Sequence, residues 1–193
     1  MPTAGPEGNA RLTALTGAAL LVLLAVEGIT LLSLRTMLSW HIFVGLLVIP
    51  VVALKLGSTG YKIYRYYTRR ADYVEAGPPH LLLRLLGPVV AVTTIALLAT
   101  GIVLIVEKPG NGVVLLLHKA SFAVWVAALG AHVLAHLGHL PRALRSDLGG
   151  RNDVAGTRGR LLLIACAVAI GAIAAVALLP LSTSWVHWLQ GEH

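Results

Sequence analysis

Residues 39–57 read SWHIFVGLLVIPVVALKLG. Between His41 and Lys55 every side chain is uncharged, and nearly all are branched aliphatic or aromatic. A hydrocarbon layer about 30 Å thick needs roughly 20 such residues to cross it. Backbone amides have no water partner there, so the stretch is predicted to be a helix. Extended to its polar flanks it covers 36–57. Four further runs have the same character, at 12–33, 81–106, 113–137 and 161–181. The predicted fold is all-α: one transmembrane domain over 1–193, an integral membrane bundle of five helices. The first run is long, has no small-residue cleavage site after Leu32 and ends at Arg35, so it is predicted to be a retained anchor rather than a signal peptide.

Composition agrees. Of 193 residues 57% are hydrophobic and 12% charged, about half the charged share of a soluble domain, and mean hydropathy is +0.82. The net charge of +7 points to no nucleic acid, because the basic residues sit at the ends of runs rather than in a soluble basic domain. The single cysteine, Cys166, excludes a disulfide framework and a CxxC metal site. Lys62, Arg65, Arg69 and Arg70 follow the second run, and Arg142, Arg145, Arg151, Arg158 and Arg160 separate the fourth from the fifth. The other side carries only Arg35, Lys108 and Lys119. Lysine and arginine accumulate on the cytoplasmic side, so the N-terminus is predicted inside and the C-terminus outside. Five tyrosines within 61–73, and Trp185 and Trp188 after the last run, suit the headgroup layers. Pro50 and Pro88 fall inside runs, where kinks are tolerated when neighbours satisfy the freed carbonyls.

Ionisable residues inside membrane helices are costly and mark function. Here they are Glu27, His41, Lys55, Arg84, His118, Lys119, His132 and His136. His41 and His118 lie about one turn inside the same end of the second and fourth runs, which point the same way. Fourteen residues beyond each stand Lys55 and His132, a rise of about 21 Å. Each helix thus offers two nitrogen side chains on one face, one near each membrane surface. Two such helices can hold flat cofactors stacked along the membrane normal, and imidazole pairs are common axial ligands of haem iron.

That spacing resembles the di-haem cytochrome b superfamily of respiratory membrane proteins, with the likeness covering about 36–140. The segments Leu54–Tyr61 and Leu117–Phe122 are also similar to those of bacterial multi-spanning proteins of this architecture. The resemblance implies a haem-binding four-helix bundle formed by spans two to four with one neighbour, one or two b-type haems, and a bacterial inner (cell) membrane. His41, His118, His132 and Lys55 are the candidate iron ligands, and His136 is a further cofactor-binding candidate. Lys55 stands where the superfamily has a fourth histidine. Three roles stay open for it: ligation as a neutral amine, a salt bridge to a haem propionate, and snorkelling to the headgroups. Without ligation by Lys55, an inner haem would use His132 with His136 or His80, or be absent.

Gly45 and Gly130 allow close approach of a macrocycle or a helix, and Trp125 lies seven residues from both His118 and His132. Glu27 has three roles open: holding a ligand ring, pairing with Lys119, or relaying a proton. Arg35, Lys119, Lys62 and Arg84 are candidates to face propionates. His139, His187 and His193 lie in loops or tails and carry no assignment. The expected function is transmembrane electron transfer, exchanging electrons with a quinone or a redox partner protein, either as a quinone-linked oxidoreductase or as its membrane subunit. No flavin or nicotinamide fingerprint occurs, since the Gly-rich piece Gly149–Asn152 follows no strand. The competing expectation is a non-redox membrane subunit or a metal transporter. The apolar central thirds, Leu46–Val51 and Val124–Leu129, and the shortage of carboxylates and thiols speak against a metal pathway.

Overall fold

A computed structural model of the chain describes residues 5–75, 81–107, 109, 112–137 and 156–191; of 81–83 and 135–137 it describes the backbone alone. Among the described residues every regular element is helical: α1 (Gly5–Thr30), a short 3-10 turn (Leu31–Ser33), α2 (Leu34–Tyr67), α3 (Ala71–Glu75), α4 (Leu81–Val106), α5 (Gly112–Leu137), α6 (Thr157–Leu178), a second 3-10 turn (Leu179–Ser182) and α7 (Thr183–Gln190). Four stretches are long and apolar enough to cross a membrane: Gly5–Tyr67, Arg84–Val106, Gly112–Leu134 and Thr157–Gln190. The chain is a helical, multi-pass membrane protein.

The first stretch is itself a hairpin. Ser33, at φ −145° and ψ 62°, leaves helical geometry, and α2 then runs back along α1. Near one end Asn9 Nδ2 donates to the Ser58 carbonyl at 2.9 Å; near the other, Glu27 and Thr30 meet His41. Between these polar ends the interface is apolar: Val44, Val48 and Val52 pack on Leu20, Leu23 and Leu24, with Leu98 of α4 alongside.

Both legs outrun their apolar stretches. α1 begins at Gly5, ahead of the run at 12–33, where Arg11 and Glu7 pair at 2.9 Å one turn apart. α2 continues ten residues past 57 and ends where Arg69 takes a left-handed φ of 54°. The Thr68 amide then bonds the Tyr64 carbonyl and the Arg69 amide that of Tyr66, which satisfies the last turn. α3 folds back so that Tyr73, 5% exposed, meets Tyr61 edge-on at 6.1 Å. The Arg65 guanidinium lies 5.5 Å and 5.8 Å from these two rings, a cation–π arrangement. The tyrosine-rich segment is therefore an ordered helical extension with its own docking turn.

Other helices meet α2 on different faces. α6 approaches through Ala167, Gly171 and Ala175, all buried at four-residue intervals. A Cβ on Gly171 would stand 2.5 Å from the Leu47 carbonyl oxygen, so the two backbones touch there, as small-residue stripes allow in membranes. Leu46, Ile105 and Ala175 join α2, α4 and α6 in a second cluster. α4 and α5 form a second antiparallel hairpin, with Trp125 Nε1 donating to Thr94 Oγ1 at 2.9 Å. α4 touches α2 lightly, while α5 packs on α4 and stands off from α1 and α2. α7 closes the His41 end of the molecule. Trp185, 8% exposed, donates from Nε1 to the Glu107 carbonyl at 2.8 Å, and Arg35 Nε donates to the Leu189 carbonyl at 3.2 Å. Trp185 is thus buried, tying α7 to the end of α4, while Trp188 stays exposed.

Candidate cofactor site

His41 lies on α2 two turns after the reversal, facing the last turn of α1. Its Nδ1 is 2.8 Å from Glu27 Oε1 and 3.1 Å from Thr30 Oγ1. A hydroxyl has one proton, and that of Thr30 goes to the Glu27 carbonyl at 2.5 Å. Toward the ring Thr30 can therefore only accept. In the neutral ring this geometry puts the proton of His41 on Nδ1, donated to Glu27 and Thr30, and the lone pair on Nε2.

His118 repeats this arrangement on the second hairpin. Its Nδ1 is 3.0 Å from Thr100 Oγ1 on α4, and the Leu97 backbone carbonyl is a further partner. The Thr100 hydroxyl already donates to the Ala96 and Leu97 carbonyls at 2.8 and 3.0 Å. Here too Nδ1 carries the proton and Nε2 the lone pair. Gly101 gives the ring its seat, since a Cβ there would lie 3.3 Å from His118 Cε1. Among the described residues neither Nε2 makes a hydrogen bond. The helices that carry the two imidazoles, α2 and α5, do not pack closely together.

An imidazole that binds metal through one nitrogen usually donates its other N–H to a carboxylate, a carbonyl or a similar acceptor, which fixes both ring and tautomer. Both histidines show that pattern, on helices that do not pack closely against each other. The donor set suits a two-ligand axial pair. Among the described residues no three His, Cys, Asp or Glu side chains gather as a metal-ion site.

Near the other end Lys55 turns toward α1. Its Nζ donates to the Thr13 carbonyl, and a Cβ on Gly17 would lie 3.0 Å from that nitrogen. Thr13 Oγ1 donates to Ser58 Oγ at 3.0 Å, and Ser58 to the Lys55 carbonyl at 3.0 Å. With Asn9 this makes a polar layer sealing that end of the hairpin, so Lys55 serves as a donor to α1 instead of reaching toward α5. His132 is half-buried on α5, fourteen residues beyond His118. The side chain of His136, together with His80, His139, His193 and Lys108, lies outside the described residues.

Other candidates separate as well. Gly45 faces the Glu27 carboxylate at 3.5 Å for an added Cβ, and one on Gly130 would meet nothing within 4 Å. Trp125 faces α4 through its bond to Thr94. Lys119 and Arg84 are exposed, Arg35 binds Leu189, and Lys62 is half-buried. Sequence reasoning missed Thr30, Thr100 and Gly101. The threonines lie about one turn from the level of their histidines on the preceding run, a signal visible only once the hairpin register is known. The sequence matches no protein-family profile, and no curated protein or solved structure is significantly similar to it.

Proposed function

We propose that the chain is a transmembrane b-type cytochrome, in which Nε2 of His41 and Nε2 of His118 hold a haem between α2 and α5. The observation that carries this is the matched bracing of the two rings: each is fixed through Nδ1 by its own hairpin, so that in the neutral ring the lone pair is on Nε2. Haem supplies a reversible one-electron iron couple. The protein's part is to present two oriented ligands, exclude water through the Val44, Val48 and Val52 packing, and keep the macrocycle at a fixed depth. α1, α2, α4 and α5 make up the haem bundle, and α6 buttresses α2 from outside it.

A second haem at the level of His132 would take its other ligand from His136, His80 or Lys55. The use of the Lys55 amine by Thr13 favours a histidine or a single haem. In this reading the two legs of Gly5–Tyr67 each cross, giving five spans in a bacterial cell membrane with the N-terminus cytoplasmic and the C-terminus external. Electrons would pass between a quinone, or a redox protein, and an acceptor on the other face. The metal-transport alternative needs polar side chains through the centre, and the α1–α2 interface there is aliphatic.

The test is an absorption spectrum of the detergent-purified protein, air-oxidised and dithionite-reduced, with a pyridine haemochrome assay for haems per chain. Sharp reduced bands are expected, and His118→Ala and His41→Ala should each abolish the haem at this level. Wild-type spectra in either variant, or no Soret absorbance in the wild type, would remove the assignment.

A further inference from the structure

The two rings are braced alike in geometry and unlike in charge. His118 gives its Nδ1 proton to a hydroxyl and a carbonyl; His41 gives its proton to a hydroxyl and to a carboxylate oxygen at 2.8 Å. Glu27 is the only acidic residue in the apolar run 12–33, and its other oxygen, Oε2, is buried without a hydrogen-bond partner. A buried carboxylate in such a place is costly unless positive charge compensates it.

Resting on the haem reading, we infer that Glu27 is a positioning residue that sets the two iron ligands apart, making His41 the stronger donor and holding the haem potential low. Two effects act in the same direction. A carboxylate accepting the Nδ1 proton draws it away from the ring and raises the basicity of Nε2, which favours the oxidised iron. The oxidised iron–porphyrin core also carries one more positive charge than the reduced core, so a carboxylate one imidazole away stabilises it by simple Coulomb attraction in a medium that screens poorly. The charge of Glu27 is thereby compensated only in the oxidised state. Gly45 makes room for this carboxylate, since an added Cβ would lie 3.5 Å from Oε1. Arg35 is bound to Leu189, and exposed Lys119 makes no ion pair with Glu27.

The experiment is potentiometry of the full-length protein in detergent, following the reduced bands, on wild type, Glu27→Gln and Thr100→Val. Glutamine keeps an oxygen acceptor for Nδ1 but no charge. The expected result is a shift of about tenfold in the reduced-to-oxidised ratio at fixed potential, an upward move of about 59 mV for one electron. Thr100→Val, which removes a neutral acceptor, should move it less. The near-infrared charge-transfer band of the oxidised haem should shift in Glu27→Gln, reporting a weaker axial donor. If Glu27→Gln binds no haem, Glu27→Asp keeps the charge on a shorter arm and should also raise the potential. A wild type without haem overturns the cytochrome reading. A haem-loaded Glu27→Gln at the wild-type potential, or a haem-loaded Glu27→Asp at that potential where Gln does not load, overturns only the role of Glu27.

Discussion

Thr100 and Gly101 are adjacent on α4 and meet the same edge of one ring, the hydroxyl holding His118 Nδ1 and the bare glycine leaving room for Cε1. Removing such a ligand-orienting acceptor typically costs 10–100-fold in affinity. Thr100→Val should therefore weaken haem binding about tenfold when the apo-protein is titrated with haemin; unchanged affinity would mean the hydroxyl does not set the ring. Gly101→Val should displace the ring and lower haem occupancy with the helix intact, as read by haemochrome assay against circular dichroism. Lys55→Met should leave the reduced bands alone and destabilise the hairpin by about 0.6 kcal/mol, the average for interhelical hydrogen bonds in membranes. A changed spectrum would return Lys55 to the cofactor. The spacing of His41, His118, Lys55 and His132 was legible in the sequence because fourteen residues rotate a helix back to nearly the same face. What the Lys55 amine would touch was not, because spacing along α2 says nothing of which neighbour fills that face.

At the level of elements, α6 depends on one glycine. The atom a Cβ on Gly171 would strike is a backbone oxygen at 2.5 Å, which no rotamer change can relieve. Gly171→Val should separate α6 from α2 and lower thermal stability in detergent by about 1–3 kcal/mol, the usual cost of overpacking. The spectrum of the folded fraction should survive, because α6 lies outside the set that holds the two histidines; a lost Soret band would put α6 inside it. Hydropathy marked α4 and α5 closely, at Leu81–Val106 and Gly112–Leu137, since a bilayer rewards continuous apolar sequence and little else. It missed the last ten residues of α2, whose Tyr61 and Arg65 pack with Tyr73 of α3, contacts that a hydropathy run does not record. The stripe Ala167, Gly171 and Ala175 was hidden in a run already rich in alanine, where only a facing backbone distinguishes one small residue from the next.

For the whole molecule the asymmetry of charge makes a prediction. Lys62, Arg65, Arg69, Arg70 and Arg158 flank one end, Arg35 and Lys119 the other. By the positive-inside tendency, a reporter that works only outside the cytoplasm, fused after Gln190, should be active, and one requiring the cytoplasm should not; the reverse pattern would invert the molecule. Alternation of direction along the chain was foreseeable from the runs alone. The uneven packing, with α2 gripped by α1 and α6 while among the described residues α5 packs mainly on α4, was not, because hydropathy records exposure to lipid and to protein alike.

Each histidine finds its anchors within its own hairpin, His41 at Glu27 and Thr30, His118 at Thr100. Biogenesis can thus proceed in two finished modules: as the chain leaves the ribosome, the first is complete well before the second has been translated. Under the haem reading, neither hairpin clamps the macrocycle alone, and the contacts through α6 and α7 that link them bring the two ligands together. Fragments 1–75 and 76–193, made as separate polypeptides in one cell, should then recover a coloured complex that neither yields by itself.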